Sequence, residues 1–281
     1  MNIIDRLLKG SIDMHAHYGP DPFAARKVEA LMGAQMACEA GMRAIVLKCH
    51  QYCTAPLASM VSRVVPDIAV FGSICLNKET GGLNPDVVET SAKLGAKIVW
   101  MPTQSSNYDY IHNIFRTGGI SILDDKGKLL PSVEKILDIS KRYEMVVATG
   151  HLPVKEAFVL VASAVNKGIS KIVVTHALGW HVDTYFTVVQ QQLIADMGAC
   201  VEYCFVNTIP EGGLTPNEMV AAIKAVGVPR CILNTDLGQA NNPTPVEGMK
   251  LMIATMLSCG LSEKEIEIMV KINPARLLGL D

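Results

Sequence analysis

The hexapeptide Ile12-Asp13-Met14-His15-Ala16-His17 runs from a β-branched residue to a pair of histidines one residue apart. On a strand, side chains two residues apart share a face, so His15 and His17 can meet one ion while Ala16 turns away. The same alternation puts Asp13 on the side of His15, one step deeper, as a supporting group of the barrel interior rather than a ligand. Imidazole suits zinc and neighbouring transition metals. The pair alone is equally consistent with two hydrogen-bonded or surface histidines, and the rest of the chain has to weigh between them.

Seven further runs rich in Val, Ile and Leu follow: Ala44 to Lys48, Ile68 to Leu76, Lys97 to Met101, Met145 to Thr149, Lys171 to Thr175, Ala199 to Phe205 and Cys231 to Asn234. Most are apolar throughout, as parallel strands are when helices cover one side and packed side chains fill the other. Helix-like segments alternate with them at Val28 to Ala40, Pro85 to Leu94, Val133 to Arg142, Val154 to Asn166, Val182 to Met197 and Pro216 to Ala225. Asn84-Pro85 and Thr215-Pro216 have the form of an N-cap followed by a first-turn proline. This rhythm predicts an α/β protein of the (β/α)8 TIM-barrel class, one domain over residues 1–281, a length that suits the fold. One interval is long, which places a loop insertion near 104–130 after the fourth strand. Its Asp125-Lys126-Gly127 centre between apolar residues predicts a small hairpin that could hang over the active face.

Five of the seven histidines fall at strand ends. His15 and His17 close the first strand, His50 lies just past the second, and His151 and His176 follow the fifth and sixth. Asp236 follows the eighth, in Leu233-Asn234-Thr235-Asp236. A (β/α)8 barrel gathers the C-terminal ends of its strands at one mouth, so residues far apart in sequence would meet there. Imidazoles plus a carboxylate leave coordination positions open to water, which is the pattern of a catalytic centre.

These motifs resemble the amidohydrolase superfamily. Ile12 to His17 is similar to that family's strand-one signature, and His151, His176 and Asp236 fall where it has histidines after strands five and six and an aspartate after strand eight. Asn273-Pro274-Ala275 and Leu278-Gly279-Leu280 resemble its C-terminal ending, a packing element. The resemblance implies a metal-dependent hydrolase with one or two divalent ions, zinc first among them. Metal-activated water would attack an amide, cyclic amide, ester or lactone in a small polar molecule, with Asp236 carrying the proton to the leaving group. Decarboxylase or other lyase chemistry and phosphoester hydrolysis are the alternatives on the same scaffold.

One feature of the family is missing. Its strand-four lysine or glutamate has no counterpart in Lys97-Ile98-Val99-Trp100-Met101-Pro102-Thr103, where Lys97 stands at the wrong end. Lys48, two residues from His50, is the nearest substitute. It could be carboxylated and bridge two metals, hold an anionic substrate as a cation, or be an ordinary paired lysine, and His50 shares the ambiguity. Arg26 could clamp a carboxylate, while Asn77, Trp100, Thr103 and His181 are placed to line a pocket.

Hydrophobic residues make up 49% of the chain and charged ones 19%, with a net charge of −2 and no basic stripe. That composition suits a large buried core and argues against nucleic-acid or membrane partners. A small-molecule substrate is expected, with anionic molecules among the candidates, and the composition allows a homo-oligomer. The eight cysteines are spread out, several inside apolar runs, and no leader or spanning segment is evident, so a cytoplasmic protein with reduced thiols is expected.

Overall fold

The computed structural model describes residues 2–112, 114, 119–179 and 185–280. Eight strands, β1 (Ile12–His17), β2 (Ala44–Lys48), β3 (Ala69–Cys75), β4 (Ala96–Trp100), β5 (Val146–Ala148), β6 (Ile172–Val174), β7 (Cys200–Cys204) and β8 (Cys231–Asn234), form one parallel sheet in sequence order. The first, second and last have the expected bounds, β4 is displaced by one residue, and the others lose one residue at each end. Beyond the last ladder, Asp236 N–H donates to His15 O and His17 N–H to Leu237 O, both at 2.7 Å. These bonds join β8 to β1, so the closing seam of the (β/α)8 barrel runs directly beneath the two histidines.

The helices in chain order are α1 (Ile3–Leu8), α2 (Ala30–Glu39), α3 (Ala55–Val64), α4 (Pro85–Lys93), α5 (Asn107–Ile111) and α6 (Pro131–Arg142). They continue as α7 (Val154–Asn166), α8 (Val188–Asp196), α9 (Pro216–Val226), α10 (Pro245–Ser258), α11 (Glu263–Glu267) and α12 (Asn273–Leu278). Asn84 caps α4, and Thr215 with Glu218 forms a reciprocal capping box on α9, as the Asn-Pro and Thr-Pro pairs predict. The expected segment from Val182 starts outside the described residues, and α8 begins after Thr187.

Two apolar cores result. Outward residues such as Ile45, Leu47, Val99 and Val201 pack against the helices, while Met14, Val46, Ile98, Trp100 and Ile232 fill the barrel. Ala275, Leu277 and Leu278 of α12 join the inner core, and Asn273 donates to Val228 O and Cys231 O, so the C-terminal motif is packing as expected. The hairpin in the insertion is present: Leu123 pairs antiparallel with Leu129, and Asp124 Oδ1 accepts from Lys126 and Lys128 N–H. No helix among the described residues is long and apolar enough to cross a membrane.

The simple alternation read along β1 fails at one point. Asp13 sits opposite Ile45 and Ala16 opposite Leu47, so Met14 and His15 of β1 face the single residue Val46 of β2, a β-bulge. Asp13 therefore shares the outer row with Ile45, not the side of His15. Its carboxylate accepts from His15 N–H and from the Thr235 amide and hydroxyl, which pins the bulge to β8. The extra residue re-aims His15 and His17 together into the mouth.

At Gly72 on β3, an added Cβ would lie 2.3 Å from Ala55 Cα and 2.4 Å from Ala55 N, backbone that cannot step aside. Gly72→Ala should therefore lower stability by about 1–3 kcal/mol, read as a fall in the urea midpoint with an unchanged m value.

Candidate metal centre

His15 is wholly buried, and its Nδ1–H donates to Glu202 on β7 at 3.0 and 3.1 Å. That fixes the ring orientation: Nε2 faces inward, 3.0 Å from Asp236 Oδ1, and is the nitrogen that an ion would take in place of a proton. His17 Nε2 lies 3.1 Å from the same oxygen. His15, His17 and Asp236 together form a cluster of possible metal-ligand atoms. Four-coordinate zinc with bonds of about 2.0–2.2 Å spaces its ligand atoms by about 3.3–3.6 Å, and the two nitrogen-to-oxygen separations, 3.0 and 3.1 Å, lie a few tenths of an ångström short of that.

The backbone is strained where it delivers these groups. Among the described residues only Glu144, His176 and Asp236 are non-glycine residues at positive φ, and two of the three face the mouth. His176 at φ 29° is held by its N–H donating to Glu202 at 2.9 Å. Asp236 at φ 51° is held by its bond to His15 O. His151 follows Gly150, whose φ is +60° and where a Cβ would stand 2.3 Å from Met101 O. Only glycine lets that turn approach β4 so closely.

The electrostatics of the polypeptide alone favour a cation in this ring. Burial would raise the Glu202 carboxyl, yet His15 and the hydrogen bonds of His15 and His176 hold it down at about 2. Burial likewise opposes ionisation of Asp236, but His15, His17 and Lys48 keep it well below the usual carboxylate range. Burial would lower His15 too, and Asp236 and Glu202 overcome this to raise it to about 9 against the opposing Lys48. Burial dominates His17 and His176, which fall to about 3, and with Lys48 it drives His50 well below its ordinary value. Without an ion, His15 thus holds a positive charge between two carboxylates, which an ion would replace with release of a proton, while His17, His50 and His176 stay neutral.

A cavity of about 270 Å³ opens above this ring. His17, Lys48, His50, His151, His176 and Asp236 line it, together with Arg26. Lys48 is buried, with Nζ 2.7 Å from His15 Nε2 and 4.5 Å from the centroid of the Trp100 ring. Arg26 directs two guanidinium nitrogens to Asp21, at 2.9 and 2.6 Å. Trp100, at the end of β4, packs under His15 and Lys48 as the floor of the site. Asn77 and Thr103 lie behind the wall, fully buried and outside the cavity lining. Asn77 spends its side chain on protein groups: it accepts from Thr103 and Ser105 N–H and donates to His50 O and the Thr103 hydroxyl. Its place is that of a cross-link. His181 lies outside the described residues.

Two functional groups escape the sequence reading. Glu202 sits inside the run Ala199 to Phe205, and an acid in the middle of an otherwise apolar strand is the signal that could have found it. Asp109, on α5 of the insertion, is buried with Oδ2 2.6 Å from His151 Nδ1. No motif marks it. Gln104, Asn207 and Gln239 also line the cavity.

No curated protein sequence matches the chain. Among solved structures it is similar to an amidohydrolase from Pseudomonas aeruginosa, with a TM-score of 0.66 and 14% identity over 98% of both chains. A probable dipeptidase from the same organism gives a TM-score of 0.68 and 12% identity over 98% of this chain and 96% of the other. A phosphotriesterase homology protein from Escherichia coli, with phosphate in its active site, gives 0.65 and 16% over 96% and 99%. These neighbours are amidohydrolase-superfamily proteins, and at such identities the likeness is one of fold. The family model described as a family of unknown function (DUF6282) matches residues 10–202, well over half of the chain, and the chain belongs to that family.

Proposed function

We propose that the protein is a metal-dependent hydrolase that cleaves an amide, cyclic amide, ester or lactone bond in a small, anionic polar molecule. The convergence of His15 Nε2, His17 Nε2 and Asp236 Oδ1 beneath an open cavity supports this reading most directly. These three residues would hold a single divalent ion, zinc by the chemistry of the donors, with Glu202 fixing the His15 ring. Such an ion supplies Lewis acidity and lowers the pKa of water from about 15.7 toward about 7. The second carboxylate oxygen of Asp236 accepts a proton from the attacking water and passes it to the leaving group. Lys48 places positive charge in the cavity for an anionic group of the substrate, and Arg26, paired with Asp21 through two nitrogens, lines the same cavity. That β4 ends in Trp100 and brings no bridging acid or lysine to the mouth supports a single ion over two. His151 and His176 then contact substrate. The eight free thiols suit a reducing cytoplasm.

The Lys48 amine favours a second reading, in which the substrate is a phosphate ester or a carboxylate that leaves as carbon dioxide. Assays for released phosphate and for carbon dioxide, run beside amide and lactone hydrolysis, separate the three.

Metal analysis of the purified protein should find one divalent ion per chain. A chelator should abolish hydrolysis, and added zinc should restore it. His15→Ala and Asp236→Ala should each lose the ion; a wild-type protein free of metal and indifferent to chelators would overturn the reading.

Glu202→Gln should weaken metal affinity by about 10–100-fold, measured by competition with a chromophoric chelator, since the amide no longer anchors the His15 ring as an anion does.

A further inference from the structure

The walls of the cavity carry two imidazoles whose outer nitrogens are tied to different partners. His50 Nδ1 is 2.8 Å from the Thr103 hydroxyl, and His151 Nδ1 is 2.6 Å from the Asp109 carboxylate. A carboxylate can only accept, so His151 carries its proton on Nδ1 and has an acceptor at Nε2. The hydroxyl can donate or accept, and the groups around Thr103 bias the choice.

Asn77 Oδ1 accepts from two backbone amides, Thr103 N–H at 2.9 Å and Ser105 N–H at 3.1 Å, which fixes the orientation of the side-chain amide. Its NH2 therefore donates both protons, one to His50 O at 2.9 Å and one to Thr103 Oγ1 at 2.7 Å. With an N–H already pointing at its oxygen, Thr103 has its own proton to give. The acceptors beside it are His50 Nδ1 and the sulfur of Cys75, and an imidazole nitrogen is much the better of the two. His50 Nδ1 thus accepts, and the proton of the ring resides on Nε2. That nitrogen has no protein partner among the described residues, and the ring lines the cavity beside Lys48.

We propose that His50 is the fixed hydrogen-bond donor of this pocket, offering Nε2–H to an oxyanion of the substrate held beside Lys48, while His151 is set in the opposite tautomer. The chain Asn77, Thr103, His50 favours the donor: with Nδ1–H turned toward Thr103, the hydroxyl would accept from both Asn77 and His50 and have only the weakly accepting Cys75 sulfur for its own proton. Asn77 and Thr103 are positioning residues. That the oxyanion is one formed during hydrolysis rests on the function proposed above; the tautomer does not.

Long-range 1H–15N correlation spectra of the 15N-labelled, full-length protein report tautomers directly, with the two rings assigned by their loss in His50→Gln and His151→Gln. The expected result is a proton on Nε2 of His50 and on Nδ1 of His151, and a proton on Nδ1 of His50 would overturn the proposal. Thr103→Val should release His50 into a mixture of tautomers, and Thr103→Ser should keep it in one. If Thr103→Val does not fold, the wild-type spectrum still decides. Inorganic phosphate serves as the oxyanion probe. His50→Leu should bind it at least 10-fold more weakly than wild type with metal content unchanged, and His50→Gln, which keeps an N–H donor, should recover most of the loss. Equal affinities in all three would remove the donor role. In turnover, His50→Leu should lower kcat by about 10²–10³ with little change in KM. Absence of any hydrolysis, with the spectra and phosphate binding as expected, would count against the hydrolase and leave the donor standing.

Discussion

The ionised carboxylate of Glu202 is buried inside the barrel, and the arrangement of the mouth depends on how it is satisfied. An unpaired charge there would cost several kcal/mol. It is instead surrounded by donors from three strands or strand ends: the His15 ring from β1, the His176 amide after β6 and the Asn234 amide from β8. Asn234 in turn accepts from Met14 N–H on the far side of the seam. One carboxylate on β7 thus orients the ring of a candidate ligand, holds a strained backbone turn and ties the last strand to the first. None of these can change alone, because each would strand part of a buried charge. The strain at His176 and Asp236 is sustained by the same network.

The architecture was readable because it is periodic. Apolar runs, helix caps and glycines repeat around the barrel, and every predicted strand is found within one residue of its place. The candidate ligands were readable for a related reason: the C-terminal ends of strands meet in a barrel, so a histidine's position in its βα unit also gives its position in space. The hairpin of the insertion was legible from its local turn chemistry.

Other features depend on neighbours distant in sequence. The bulge in β1 does not show in an alternating hexapeptide, because it is created by pairing with β2 and by the bonds of Asp13 to Thr235, 222 residues further on. Glu202 looks like an exception inside an apolar strand until its donors from the other strands are known. Asp109 belongs to an insertion with no periodicity, and only the folded chain brings it to His151. Asn77 illustrates the converse. Its position after a strand made it resemble a pocket residue, but its side chain is spent on the loop that carries Thr103 and on the carbonyl of His50.

Trp100 ties the floor of the site to the kind of chemistry proposed. An acid or lysine at the end of β4 would reach the ions as a ligand and favour two of them. An indole there offers no ligand atom; it closes the floor with an apolar face against His15 and Lys48. An amine so placed, 2.7 Å from the His15 nitrogen that faces the ring, puts positive charge close to where a second ion would have contributed it. Two like charges are costly at short range in a poorly solvated site. In the proposed centre one ion and Lys48 therefore share the task that two ions perform elsewhere. An ion held by His15, His17 and Asp236 would supply the Lewis acidity, and Lys48 would receive the anionic part of the substrate. Such a division fits a cavity of about 270 Å³, which has room for a small substrate and for few contacts beyond those that the strand ends already supply.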